Sequence, residues 1–456
     1  MRTLRLASFG IQGSIGDSLT PEIIIDFAAA FGTFLEGAPV LVGRDTRQSS
    51  RMLHSAVLAG LMSAGCDILD FGVCPTPMLQ FSTPRHKAAG AISISGGHSP
   101  MGNNALQLIG PRGAYIEPIV GETVLDIYHA RDFTNAPWNK LGKVRKATDF
   151  AAPYFTRLAE LLDAAAIRKA AFTVVIDPVN GAGCRFIRSF ADTLGLRVLP
   201  VNDVESGHLA HDPEPRPRNA RQAAALMNHI PAHIGMISSS DMGRLSIVSE
   251  SGETASEEYT LPIIANHVLS RHQSAAKGGV VVTNCCTTRT VDDVAAKHGA
   301  TVTKTRVGQA YVSSALADEN GILGGEGNGS VALPEFSRGF DAFLMMGLIL
   351  EAMAVQNRRA SELISDLPRY HIVKRQVAGE AQRGYRALER MAGLDEWRAG
   401  GTLTSLDGLR VDWPDGWLHL RASQTAPMVR IISEAQSMPI AEARADKAAR
   451  LLEQMM

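Results

Sequence analysis

Four short stretches hold the residues on which chemistry could turn. In LGGEGNGS, residues 323–330, glycines alternate with Glu326 and Asn328 directly after an apolar run. Backbone poor in side chains beside one carboxylate and one amide suits a ligand with several adjacent hydroxyls, such as a sugar; a tight turn is the plain alternative. The residues that follow, VALPE, do not open a helix, which argues against a nucleotide-phosphate loop. In LRASQTAPMVR, residues 420–430, Arg421, Ser423 and Thr425 supply a guanidinium fork and two hydroxyls, the parts of a phosphate clamp.

The other two stretches are built like reactive loops but are short of reactive groups. GAISISGGHSPMGNNALQL, residues 90–108, reads as a strand ending in Gly96-Gly97, followed by His98, Ser99 and Pro100. Such a loop brings backbone close to a ligand, yet its tip, Gly97, has no nucleophile. His98 is the candidate acid or base, because its ordinary pKa lies near neutrality; loop packing is the alternative. MISSSDMGRLSIV, residues 236–248, offers one acid, Asp241, beside Arg244. A hard cation usually takes more carboxylate than that, so an Asp241–Arg244 ion pair is expected. VGRDTRQSS, residues 42–50, places Arg44, Asp45 and Arg47 after a strand, as an interdomain ion-pair network or a ligand site.

The elements that must position these loops follow a repeated rhythm. Thr20 and Pro21 start a helix with apolar residues at helical spacing, and Gly37 stops it. A strand (39–43), a helix from Ser49 or Ser50, and a strand near 66–71 follow. The same punctuation returns at FTVVID (172–177) and at GVVVTN (279–284), which predicts three related β-α-β-rich units with largely parallel sheets. The last ninety or so residues differ: LRVDWPDGWLHLRA alternates around a Pro-Asp-Gly turn, then come MVRIISEA and an amphipathic helix from about Ala441. That is an α+β unit of another kind.

At 456 residues the chain exceeds one core. Its net charge of −1 provides no basic field for nucleic acid or an anionic membrane, so neither is expected as a partner. The apolar run Ala342–Leu350 ends at Glu351, too short to span a bilayer. Five cysteines without a C-x-x-C pair read as reduced thiols of a cytoplasmic protein. Adjacent Cys285 and Cys286 read as small packing after a buried strand, with a redox or metal device as the alternative.

Taken in order, with DPVNGAG (177–183), HDPEPRP (211–217) and KTRVG (304–308), these loops resemble the α-D-phosphohexomutase superfamily over essentially the whole chain. The resemblance implies an α/β fold of four domains around one central cleft. The divisions would be 1–150 with a phosphoserine loop at 94–100, 151–255 with a metal loop at 238–244, 256–367 with a sugar loop at 324–330, and 368–456 with a phosphate loop at 421–427. It implies phosphoryl transfer on a hexose through a phosphoserine and a bisphosphorylated intermediate, with three aspartates holding Mg²⁺. It also implies substrate contacts at Gly325, Glu326, Asn328, Arg306, Arg421, Ser423 and Thr425.

The departures fall on one side of that pattern. The serine position is Gly97, and the other metal-ligand positions beside Asp241 are Ser239 and Gly243. Ile15 stands where the opening motif has arginine, Gln107 where the first loop has lysine, and Ala426 where the phosphate loop has glutamate. A phosphoserine, its metal and the surrounding cations balance one another's charge, so their joint loss is self-consistent. The expectation is a phosphosugar-binding homologue without phosphoserine- and Mg²⁺-dependent transfer: a diverged enzyme with His98, Glu326, Asp241 and Arg244 as catalytic candidates, needing no cofactor. A catalytically silent binding or regulatory protein, and a phosphoglucomutase/phosphomannomutase using an unorthodox residue, are the alternatives. Mg²⁺ belongs to the reading in which the family mechanism is retained. The partner expected is a small phosphosugar, with the chain a monomer or homodimer.

Overall fold

The computed structural model describes residues 4–7, 10–271, 277–423 and 427–456. Four sheets organise them. The first has seven strands in the order Arg5–Ala7, Gly10–Ser14, Asn103–Ile109, Gly90–Ile94, Val40–Arg44, Ile68–Val73 and Val144–Lys146. Its strands from Gly90–Ile94 to Val144–Lys146 are parallel, while Asn103–Ile109 runs antiparallel to both neighbours. The second and third sheets have four strands each, ordered Leu245–Ser249, Ile234–Ser238, Thr173–Asp177, Arg197–Pro200 and Thr301–Thr305, Val280–Asn284, Leu323–Glu326, Ser330–Ala332. In both, a hairpin adds one antiparallel edge strand to a parallel set. The fourth sheet, His371–Ala378, Met428–Ala435, Gly416–Ala422, Leu409–Trp413 and Thr402–Thr404, is antiparallel throughout.

The punctuation in the sequence is realised closely. The first helix is Pro21–Phe34, and Gly37, at φ +74°, turns the chain out of it. The Pro-Asp-Gly turn pairs Trp413 with Gly416 across the expected hairpin. The last helix begins at Met438, earlier than the periodicity suggests, because Ser437 and Pro439 already meet the requirements of a helix start.

One continuous core joins the first three sheets, and the apolar helix Ala342–Gln356 lies within it, buried from Ala342 to Met353. Its helix start is fixed by Asp341, which accepts from Leu344 N and from the Tyr154 hydroxyl. Among the described residues no helix is long and apolar enough to cross a membrane. The antiparallel sheet has a separate core. It meets the third sheet through polar contacts: Arg410 with the Cys285 carbonyl, Arg289 Nη1 with the Trp413 carbonyl (2.6 Å), and Glu434 with Arg289 N (2.8 Å).

Candidate functional site

The segments singled out above leave the carboxyl ends of strands, where open α/β sheets bind ligands. The first loop follows Gly90–Ile94, the second follows Ile234–Ser238, and the glycine-rich loop follows Leu323–Glu326. The fourth joins Gly416–Ala422 to Met428–Ala435.

The first two loops are locked together. Gly97 adopts φ +52°, and a Cβ placed there would lie 2.8 Å from Asp241 Oδ2. The Gly97 carbonyl accepts from Ser240 Oγ at 2.7 Å and from Arg47 Nη2 at 3.2 Å. Arg47, fully buried, also donates to the Ser99 carbonyl (2.7 Å) and Ser240 Oγ (2.9 Å) and pairs with Asp45. Thus the cluster at 44–47 becomes the clamp between two loops, on a residue the sequence left between two readings. The neighbouring hydroxyls are engaged as well. Ser95 donates to Asp45, Ser239 to Asp241, Ser238 to the Met242 sulfur, and Ser99 accepts from Gln12.

Arg244 does not pair with Asp241. Asp241 Oδ1 instead accepts from Ser239 Oγ (2.6 Å) and Gly243 N (3.1 Å), folding the carboxylate back into its own turn. Arg244 reaches Glu214 at 3.4 Å and His98 Nε2 at 3.5 Å. From there ion pairs continue through Glu214–Arg216 (2.8 Å), Arg216–Glu257 (3.9 Å) and Glu257–Lys374 (3.7 Å). This chain crosses all four units, from the first loop to the antiparallel sheet. Glu214 and Arg216 stand in the HDPEPRP motif, where spacing gave them no role.

His98 is exposed to the space between the loops, with protein crowded on its other sides. That desolvation, then Arg244, Arg216, Arg47 and Arg430, hold the imidazole well below its ordinary value. This shift disfavours the imidazolium form.

On the sugar-loop side, Glu326 is buried. Its Oε1 accepts from Asn284 Nδ2 (2.6 Å) and Gly308 N (2.8 Å), and its Oε2 from Asn328 Nδ2 (3.0 Å). Asn328 Oδ1 accepts from Ser330 Oγ at 2.7 Å. Gly325 lies in the strand, paired with Val331. Glu258 packs against the same loop at Gly327, with Lys374 Nζ 3.2 Å from its other oxygen. Burial pushes the Glu258 carboxyl up to about 8.

Arg421 pairs with Asp407 at 3.1 Å, and Asp407 also caps Val307 N. Ser423 is buried, with its N–H on the Met428 carbonyl. Arg306 is exposed beside this region, and Thr425 lies outside the described residues. Directly across the ladder from Arg421 stands Arg430, which sequence spacing missed. Like charges at facing positions repel; Asp407 already offsets part of this on Arg421, and an added anion would offset more.

Comparison with known proteins decides the family. Descriptions of phosphoglucomutase/phosphomannomutase alpha/beta/alpha domains I, II and III match residues 6–135, 152–252 and 256–370. A "Phosphoglucomutase/phosphomannomutase" of Thermococcus kodakarensis is 34% identical over 457 residues, covering 98% of each chain. The chain belongs to the phosphoglucomutase/phosphomannomutase family. A "Probable phosphoglucosamine mutase" of Pyrococcus abyssi is 31% identical over 446 residues, covering 97% of this chain and 96% of the relative. The solved structure of a phosphoglucomutase/phosphomannomutase family protein from Burkholderia thailandensis superposes with a TM-score of 0.86, over 99% of this chain and 97% of that one, at 24% identity. The last comparison bears on the fold: four α/β units with an antiparallel C-terminal sheet.

Family membership overturns one expectation. These mutases are magnesium-dependent, so the reading that no cofactor is needed does not stand. The residues present fit the ion: Asp241 Oδ1 is held within its turn, while Oδ2 is turned toward Gly97. Mg²⁺ takes one or two protein carboxylates and completes its octahedron with water and substrate phosphate oxygens. Counting lost carboxylates misled because it ignored the oxygens a phosphorylated substrate brings. Asp241 is the residue that would hold the ion, which when bound neutralises charge on phosphoryl oxygens.

Proposed function

We propose that this family member binds a phosphorylated hexose between its four loops, and that no phosphoryl group is carried on residue 97. The observation behind the reading is the fit of the glycine itself. Gly97 uses a left-handed backbone, rests against Asp241, and offers its carbonyl to Ser240 and Arg47. The loop is organised around the missing side chain rather than merely lacking it.

In this reading Arg421 and Arg430 hold the substrate phosphate, with Ser423 and Thr425 on the joining loop. Gly325, Glu326 and Asn328 meet the sugar hydroxyls once the ligand displaces their mutual hydrogen bonds, and Arg306 flanks them. His98, whose protonated form is disfavoured by desolvation and by the surrounding arginines, accepts a proton from a substrate hydroxyl. Arg244 then balances the charge that develops. This describes an enzyme of altered chemistry within the family.

The test is incubation with glucose, mannose and glucosamine phosphates, with Mg²⁺ and a hexose 1,6-bisphosphate, followed through thermal shift, product analysis and intact mass. Binding, with no phosphorylated residue in peptide 90–109, is expected. A phosphorylated side chain on that peptide, or failure of every hexose phosphate to bind, overturns the reading. A product other than the isomeric phosphate separates an altered enzyme from a silent binder.

A further inference from the structure

The seam between the third and fourth sheets contains a cluster that the phosphosugar reading does not use. Among the described residues, one group of three His, Cys, Asp or Glu side chains brings its ligand atoms within 4.8 Å of one another: Cys285, Cys286 and His419. We infer that this cluster is a binding site for a thiophilic d¹⁰ cation, with Zn²⁺ as its natural size and charge, bridging two sheets.

The geometry is that of ligands waiting for such an ion. Cys286 Sγ lies 3.0 Å from His419 Nδ1, and Cys285 Sγ lies 3.6 Å from His419 Nε2. Zinc–sulfur bonds of about 2.3 Å and zinc–nitrogen bonds of about 2.0–2.1 Å set tetrahedral ligand atoms roughly 3.5–3.8 Å apart. Cys286 Sγ already lies beside Nδ1, and Cys285 Sγ, now nearest Nε2, has to rotate toward the Nδ1 side to join them. Thiolate and imidazole select zinc over magnesium, which prefers oxygen, so the cluster does not compete with Asp241 for its ion.

The supporting contacts are those of a metal-ligating histidine. His419 Nε2 donates to the Asp407 carbonyl at 2.6 Å, which fixes the tautomer and leaves the Nδ1 lone pair toward Cys286. Both cysteines are held by a turn. Asn284 Oδ1 accepts from Cys286 N (2.8 Å) and Thr287 Oγ1 (3.0 Å), and Cys285 N donates to the Thr305 carbonyl (3.0 Å). Arg410 donates to the Cys285 carbonyl and so helps hold the same turn. Cys285 and His419 are buried, whereas Cys286 is half-buried.

The consequence lies in where the ligands come from. Cys285 and Cys286 follow a strand of the third sheet, and His419 belongs to the fourth, whose apolar core is separate. An ion here pins the antiparallel sheet beside the Asp407–Arg421 pair.

The test uses the full chain, stripped of metal under a non-chelating reductant and dialysed against Zn²⁺. One tightly held equivalent is expected by elemental analysis, with a thiolate-to-cobalt absorption band when Co²⁺ replaces zinc. Zinc should raise the thermal midpoint of the wild type. Cys285→Ser and Cys286→Ser should each lose the equivalent and the band, while Cys184→Ser, a thiol elsewhere, keeps both. No stoichiometric zinc in the wild type, equal uptake by the serine variants, or a disulfide between the two cysteines in thiol titration and mass analysis overturns the inference. Should a serine variant misfold, the Co²⁺ spectrum of the wild type still decides, since oxygen-only coordination gives no thiolate band.

Discussion

The two halves of the candidate site balance charge in opposite ways. Around the first and second loops most strong groups are engaged from within, with Arg47 Nε and Asp241 Oδ2 the exceptions. Arg47 is paired with Asp45 and aimed at three oxygens of the loops, the serine hydroxyls are engaged, and Gly97 fits against Asp241. Around the fourth loop, Arg421 faces Arg430 across the ladder, an arrangement that gains from an added anion. The first half is held together mainly by its own groups; the second gathers two guanidiniums around one carboxylate, Asp407. A charge removed from the first should therefore be felt as lost stability, and a charge removed from the second as lost binding.

Arg47→Ala carries the largest expected effect. It leaves Asp45 buried without its cation and frees both loops, a loss of about 3–5 kcal/mol. The measurement is the midpoint of urea unfolding, and little change there would break the comparison from the stability side. Next comes Arg421→Ala, which removes one arm of the anion clamp. A loss of about 1.5–3 kcal/mol, roughly 10- to 100-fold in Kd for hexose phosphates, is expected in calorimetry. Its unfolding midpoint should stay near that of the wild type, because the residue is partly exposed and its Asp407 partner keeps the Val307 N–H. Unchanged binding would remove the phosphate role from this arginine.

Gly97→Ser tests the same contrast at its narrowest point. A side chain in the left-handed region costs roughly 1–2 kcal/mol, and this one must also displace the Asp241 carboxylate. The variant should unfold earlier and acquire no phosphoryl group from a hexose 1,6-bisphosphate by intact mass. Robust phosphorylation would mean that the loop tolerates its nucleophile and that the glycine is a simple deletion.

How much of this could be read in the chain depended on how local the signal was. Strands and helices of the three α/β units follow from apolar spacing and from Gly, Pro and capping residues, all local; hence the Pro-Asp-Gly hairpin and the β-α-β rhythm emerged as expected. Arg430 stayed hidden because its meaning depends on strand register, which places it opposite Arg421. Glu214 likewise acquires its role from Arg244, thirty positions later in the chain. The expected Asp241–Arg244 pair failed for the converse reason. Closeness in sequence put the two on one hairpin turn, but the turn's own N–H and hydroxyl groups claimed the carboxylate. Cys285 and Cys286 read as packing until His419 arrived from another sheet.

The smallest expected effect is a pair of opposite pH slopes, one from each half. His98 titrates below its ordinary value in the folded protein, because desolvation and Arg244, Arg216, Arg47 and Arg430 oppose its charge. As pH falls below about 6.5 the unfolded chain binds the proton more readily, so stability declines toward acid. Glu258 does the reverse. Burial raises its carboxyl to about 8, with Glu257 and Glu434 adding to the shift and Lys374 opposing it. The folded state then binds more protons than the unfolded state from about pH 4.5 upward, so this contribution shrinks as pH rises through about 8. Replacing each group isolates its slope. His98→Asn should flatten the acid side of the unfolding-midpoint profile, and Glu258→Gln should gain on the wild type between pH 5 and pH 8. If Glu258→Gln tracks the wild type across that range, the carboxyl beside Gly327 is ionised in the folded protein. The sugar-loop side would then already hold a balanced charge, and the contrast between the two halves would rest on Arg421 and Arg430 alone.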